Sequence, residues 1–427
     1  MKVNKNNEGQ KNRAATKRSY LMAWIGVALE YYDSGLYWVM VPLLTPVFLP
    51  SMSRVDSLIL AYGTYPLSVF SRPLGAMVIG RIGDKLGRKR ALVTSIIGTA
   101  LVTGLVGCLP SYEQIGILAP ILFLLSRILQ KFFVAGEYNG GAIFTLEHTK
   151  EGKGFMSGIY CGFTLLGVLA ATVMATIVAH LPQGYWRLPY LLGFLTALVG
   201  LCIRLKAAES PEFEKKTNKD GTKNLKGKLQ FYRKEVMVSV GVATCFSALC
   251  TLPLSFTNAF IPMVTHFTNQ EVMVIDTMTL MVYILLLVIS GRVADVIGVR
   301  TSMLSACLAT IVMVCPLFML LKMDTVWSVV CVKIGLGILV AWFVGPFHAW
   351  IQELYRVNSR YEMISITYSL GSQIGAFGTV LNLWLWKQTE YVGAPGLVTI
   401  IFALVGLGGL LYAKERVVQG LAQGRAF

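Results

Sequence analysis

The sequence is short of charge. Of its 427 residues only 14% are Asp, Glu, Lys or Arg, where about a quarter is usual for a soluble domain. Acid is the scarcer sign: 22 Asp and Glu stand against 38 Lys and Arg, a formal net charge of +16. Histidine is scarce too. The four present (His148, His180, His266, His348) show no paired ligand spacing, and the eight cysteines fall in or beside apolar runs without one, so no metal site is expected. No Gly-x-x-x-x-Gly-Lys-Ser/Thr loop occurs, which argues against an ATP-driven pump. No nucleophile elbow or nucleotide-binding unit occurs either, and no polar region is long enough to hold a soluble catalytic domain. What abounds is apolar: 55% of the chain, with a positive mean hydropathy. That composition excludes disorder, collagen-like repeats and a small disulfide scaffold, and it implies a polytopic membrane protein.

A helix of roughly 20 apolar residues crosses a bilayer, and lipid tolerates no unpaired backbone inside it. Twelve such runs are legible, near 20–43, 58–80, 91–110, 115–140, 154–180 and 187–206, then 236–262, 272–291, 301–321, 326–350, 361–386 and 395–413. The fold class expected is therefore an all-α membrane protein of twelve spans in two six-helix halves. With both termini inside, 30 of the 38 Lys and Arg fall on the cytoplasmic side and only Arg54, Arg187, Lys322 and Lys387 on the other. This asymmetry fixes the expected orientation and accounts for the net charge without a nucleic-acid partner. Five segments follow: a tail 1–19, read as uncleaved and cytoplasmic, a six-helix bundle 20–206, a linker 207–234, a second bundle 235–413 and a cytoplasmic tail 414–427. The linker is rich in lysine, as suits a segment beside an anionic membrane face.

The halves repeat one another. Gly80-Arg81-Ile82-Gly83-Asp84-Lys85-Leu86-Gly87-Arg88-Lys89 follows span 2, and Gly291-Arg292-Val293-Ala294-Asp295-Val296-Ile297-Gly298-Val299-Arg300 follows span 8. Gly158 and Gly162 in span 5 match Gly371 and Gly375 in span 11, spacings that let membrane helices approach closely. Duplicated halves about a midplane site are the plan of many secondary transporters. In the turn, Asp84 is placed to hold a helix N-terminus or an arginine. Gly83 and Gly87 permit a tight bend, and Arg88, Lys89 and Arg90 are expected at lipid headgroups.

Residues 80–89 resemble the inter-span 2–3 motif of the major facilitator superfamily. Gly26-Val27-Ala28-Leu29-Glu30-Tyr31-Tyr32-Asp33, Arg72-Pro73-Leu74-Gly75, Arg127-Ile128-Leu129-Gln130, Gly136-Glu137-Tyr138, Glu147-His148 and Glu209-Ser210-Pro211-Glu212-Phe213 narrow the likeness. They look like its metabolite:proton symporter family, whose members carry proline and betaine, 2-oxoglutarate, citrate or shikimate. The resemblance implies alternating access driven by a proton gradient, with no cofactor, and a gating role for Gly80, Asp84, Gly87, Arg88, Lys89 and Asp295. It implies a bacterial cytoplasmic membrane. Lys131 stands where the family has glycine.

Ionisable groups in mid-membrane cost at least about 2.5 kcal/mol each on insertion scales, so they are functional candidates. At about 1.5 Å per residue, Glu30 and Asp33 lie roughly 15–20 Å along span 1 and share a face. Arg127 and Lys131 reach a similar depth in span 4. Two acids and two bases at one level predict a paired network. Asp33 is the preferred proton carrier, Glu30 the second, and Glu137, near the inner end of span 4, a release or gate residue. A static ion pair bracing spans 1 and 4 is the competing reading. Arg127, Arg72, Tyr37 and Gln130 are candidate substrate ligands. Lys131 either balances an acid or enlarges an anion site. Lys333 is expected to snorkel outward, and Asp276 to be wet.

These readings converge on a proton-coupled symporter, expected as a monomer, for a small polar metabolite. The extra charge of Lys131 leans toward a carboxylate such as 2-oxoglutarate, with proline or glycine betaine as the alternative. A membrane-embedded enzyme acting at the charged cluster is the reading from another class, and a receptor comes third.

Overall fold

The computed structural model describes residues 20–36 except 22, a few positions between 40 and 48, then 71–179, 181–205, 209 and 225–422. Among these, structure is helical and no strand occurs. The first half holds α1 (23–36), α2 (71–85), α3 (Arg88–Cys108), α4 (Leu118–Glu147), α5 (Lys153–Ala179) and α6 (Leu188–Leu205). The second holds α7 (Arg233–Thr251), α8 (Asn269–Ile297), α9 (Val299–Met319), α10 (Val326–Val344), α11 (Val357–Thr389) and α12 (Ala394–Ala422). Nine helical runs among the described residues are long and apolar enough to cross a membrane. Much of the expected second span, 58–70, lies outside the described residues, as do the tail 1–19 and most of the linker.

Helix α4 shows why these sequences form membrane helices. Leu122, Leu125 and Leu129 are exposed on one face, while Phe123, Arg127, Gln130 and Val134 are buried on the other. The pattern is amphipathic at helical period but inverted: polar groups point inward and leucine outward. Lipid makes the leucines harmless there, and the protein interior gives the charges partners.

The chain divides into two compact units, one of residues 1–148 and 163–217, the other of 149–162 and 218–427. The first ten residues of α5 therefore pack with the second unit. Within the first unit α3 packs on α4 and α6; within the second α9 packs on α10 and α12. The repeat thus extends from sequence to packing. It reaches the backbone too: Gly87 (φ 108°) precedes α3 and Gly298 (φ 93°) precedes α9, a region essentially reserved for glycine. The small-residue expectation holds at Gly158, where a Cβ would come 2.4 Å from the Leu287 carbonyl oxygen, and at Gly375, where it would come 2.3 Å from that of Thr244.

Two expectations fail. Arg88 does not reach lipid headgroups: it is fully buried, donating to Asp84 Oδ1 at 2.9 Å, to the Gly83 carbonyl at 2.6 Å and to Glu147 Oε1 at 3.2 Å. Two carboxylates from the same unit outbid water for a guanidinium that can bind both. Nor does Lys333 snorkel. Its side chain is 1% exposed and meets Asp276 Oδ1 at 2.5 Å; Asp276, 22% exposed, keeps some contact with solvent while serving as its ion-pair partner.

Candidate functional site

The first unit gathers the predicted midplane charges. Asp33 arrives from α1, 4% exposed. Its Oδ2 accepts from the Thr103 hydroxyl of α3 at 2.6 Å and from the Gln130 amide of α4. Gln130 Oε1 in turn accepts from Arg127 Nη1 at 2.8 Å. Acid and base therefore meet through an amide relay. Because Arg127 and Gln130 are three apart on α4, they share a face, and that face is buried. The Arg127 guanidinium also lies 5.0 Å from the Phe123 ring and 5.5 Å from that of Tyr190 in α6. Such stacking holds a desolvated cation without neutralising it.

The remaining charges surround this relay. Glu30 is buried one turn before Asp33. Lys131 lies within electrostatic reach of Arg72, Arg127, Glu30 and Asp33. A narrow crevice runs along the two acids, lined also by Gly26, Thr99, Thr103 and Gly193. Asp33 Oδ1 has no hydrogen-bond partner among the described residues. One carboxylate oxygen is thus fixed by two donors and the other is left over, in a place where charge is costly.

The structure brings together Glu30, Asp33, Arg127, Gln130, Lys131 and Arg72. Tyr37 lies outside the described residues, as does the side chain of Glu137. The sequence reading missed Thr103, Phe123 and Tyr190, since a threonine or an aromatic ring in an apolar span carries no signal of its own. The turn motif forms a separate cluster. Beyond Arg88 and its two acids, Glu209 caps the start of α3, accepting from the main-chain N–H groups of Arg88 and Lys89 at 3.0 and 3.3 Å. Lys89 Nζ donates to the Leu205 carbonyl at 2.8 Å. In the second unit, Asp295 accepts from the Gly154 and Phe155 N–H groups at 2.7 and 2.9 Å, capping the start of α5.

The profile of the Major Facilitator Superfamily matches residues 23–377. The chain belongs to the major facilitator superfamily. A glycine betaine/proline/ectoine/pipecolic acid transporter of Dickeya dadantii is 27% identical to it, over 93% of this chain and 83% of the relative. The proline/betaine transporter of Escherichia coli K12 is 25% identical, over 92% and 82%. Among solved structures, the proton:xylose symporter XylE, bound to 6-bromo-6-deoxy-D-glucose, superposes with a TM-score of 0.73 at 13% identity, covering 95% of this chain and 96% of that one. This superfamily member is therefore a multi-pass membrane protein with the twelve-helix transporter fold. It is a secondary transporter of a small molecule and not an enzyme.

Proposed function

We propose that this transporter is a proton-coupled symporter that imports a small zwitterion with one carboxylate, of the proline and glycine betaine class. The observation that carries the reading is the charge count of the cluster. Arg72, Arg127 and Lys131 supply three positive charges against Glu30 and Asp33, leaving one in excess. A proton on Asp33 and one substrate carboxylate cancel, so the loaded cluster keeps that single surplus charge. The names of the relatives point the same way.

Asp33 carries the proton in this account. Thr103 and Gln130 hold its Oδ2, so a proton binds on Oδ1. Neutralising the acid weakens its hold on Gln130, and through Gln130 it loosens Arg127. The guanidinium is then available to a substrate carboxylate, which it can grip with two parallel bonds. Protonation and substrate binding thereby favour one another, and the loaded carrier reorients. The site opens to one side at a time across a bacterial cytoplasmic membrane, with both termini inside. Glu30 is the second proton candidate and Glu137 an inner gate residue.

A second reading is specifically favoured by Lys131, whose charge adjoins that of Arg127. A dicarboxylate such as 2-oxoglutarate would use both. Uptake of labelled glycine betaine, proline and 2-oxoglutarate into proteoliposomes under an inward proton gradient decides between them. Accumulation of betaine or proline, abolished by a protonophore, is the expected result. Accumulation of 2-oxoglutarate alone selects the second reading, and accumulation of none of the three overturns both.

A further inference from the structure

The second unit holds a buried polar cluster that the proposed cycle does not use. After Thr251 the regular turns of α7 give way to a wide, π-type turn over Leu252–Phe256, in which the Thr257 N–H bonds back to the Leu252 carbonyl, before a short helix Thr257–Val264 resumes. Wide turns of this kind are frequent at functional sites. Three oxygens converge beside this one: the Pro253 carbonyl, Asn258 Oδ1 and Asp276 Oδ1 from α8. Lys333 of α10 enters among them, its Nζ 3.3 Å from the Pro253 oxygen and 2.5 Å from Asp276, and also bonded to Asn258. The Asn258 amide nitrogen donates to the other Asp276 oxygen at 3.0 Å and to the Leu254 carbonyl at 3.3 Å, which turns its own oxygen toward the ammonium.

An ammonium has three donors and no acceptor. Here each donor meets one oxygen. The set comprises a carboxylate, an amide oxygen and a main-chain carbonyl at an interrupted helix. Hard oxygens with one net negative charge suit an alkali cation, and unwound main-chain carbonyls are what membrane carriers use to coordinate sodium. An exposed lysine–aspartate pair needs neither the carbonyl nor the amide, but this ammonium, 1% exposed, takes both in place of water. We infer that Pro253, Asn258 and Asp276 form a monovalent-cation site at the bend of α7, and that Lys333 occupies it as a tethered cation. The second unit thus carries its own positive charge where it would otherwise have to bind an ion from solution. The partial exposure of Asp276 gives an ion access once the lysine is shortened.

Lys333→Ala tests this directly. Thermal unfolding of the purified, detergent-solubilised protein is compared in sodium chloride and choline chloride at equal ionic strength. The site, once vacated, binds sodium and excludes choline, so the Tm of K333A rises by several degrees in a saturable way with sodium. Wild type and the double variant K333A/D276N unfold at the same temperature in both salts. If K333A responds equally to the two salts, or the double variant responds as K333A does, the inference is wrong. Protein that is monodisperse in neither salt overturns it as well, because sodium should replace the missing ammonium.

Discussion

Asp33, Thr103, Gln130 and Arg127 form a chain in which each member sets the next. Thr103→Val keeps the shape of the side chain but deletes one of two donors to a buried carboxylate, an interaction worth about 1.5–3 kcal/mol. Proton-driven uptake should fall about tenfold while the amount of protein in the membrane is unchanged; uptake at the wild-type rate would remove Thr103 from the account. Arg88 lies outside that chain. Arg88→Ala strands Asp84 and Glu147 in the interior, and breaking a buried pair in this way costs about 3–5 kcal/mol. The variant should unfold well below wild type in detergent, and an unchanged Tm would mean that the cluster is dispensable. The sequence disclosed Glu30, Asp33, Arg127 and Lys131 because a charge in an apolar run stands out. It did not disclose Thr103, since a threonine in a membrane helix commonly bonds its own preceding turn and only the approach of α1 gives it a carboxylate. Lys333 was misread for a related reason: its burial depends on Asp276 and Asn258, 57 and 75 residues away.

At the level of elements, the two turn motifs were legible as a repeat, and their glycines adopt the same kind of backbone before α3 and α9. Gly87→Ala and Gly298→Ala should each cost about 1–3 kcal/mol, the usual cost of forcing a side chain into that region, read as a lower Tm for each variant. What the repeat concealed is that its two aspartates do different work. Four residues after Asp84 stands Arg88, so the carboxylate pairs along its own chain. Four residues after Asp295 stands Val299, which offers no charge, and Asp295 instead takes the exposed N–H groups at the start of α5. Asp295→Asn should weaken that cap by about 0.3–1 kcal/mol, the range for a charge at a helix N-terminus. Slower amide hydrogen exchange at Gly154 and Phe155 in wild type than in the variant would confirm it, and equal exchange would contradict it. The wide turn in α7 had no sequence signature beyond Pro253, because proline also occurs in membrane helices that stay regular.

The molecule as a whole follows from one imbalance, the confinement of few charges to a largely apolar chain. Hydropathy gave the spans, and basic residues gave an expected orientation. Shared spacing gave two halves, and the fold of the superfamily is what two such halves build. Substrate chemistry was harder to read, because Lys131 has meaning only against its neighbours. Counted alone it argues for a second anionic group; counted with Glu30, Asp33 and Arg72 it gives the single surplus charge on which the one-carboxylate proposal rests. Proton coupling at Asp33 is the central claim, and Asp33→Asn tests it most directly. The variant is reconstituted, and labelled glycine betaine is followed both as uphill accumulation under a proton gradient and as exchange with no gradient. The account predicts that D33N loses accumulation but keeps exchange, since a permanently neutral residue can load and reorient yet cannot give up a proton. Accumulation by D33N at the wild-type level, still abolished by a protonophore, would contradict it.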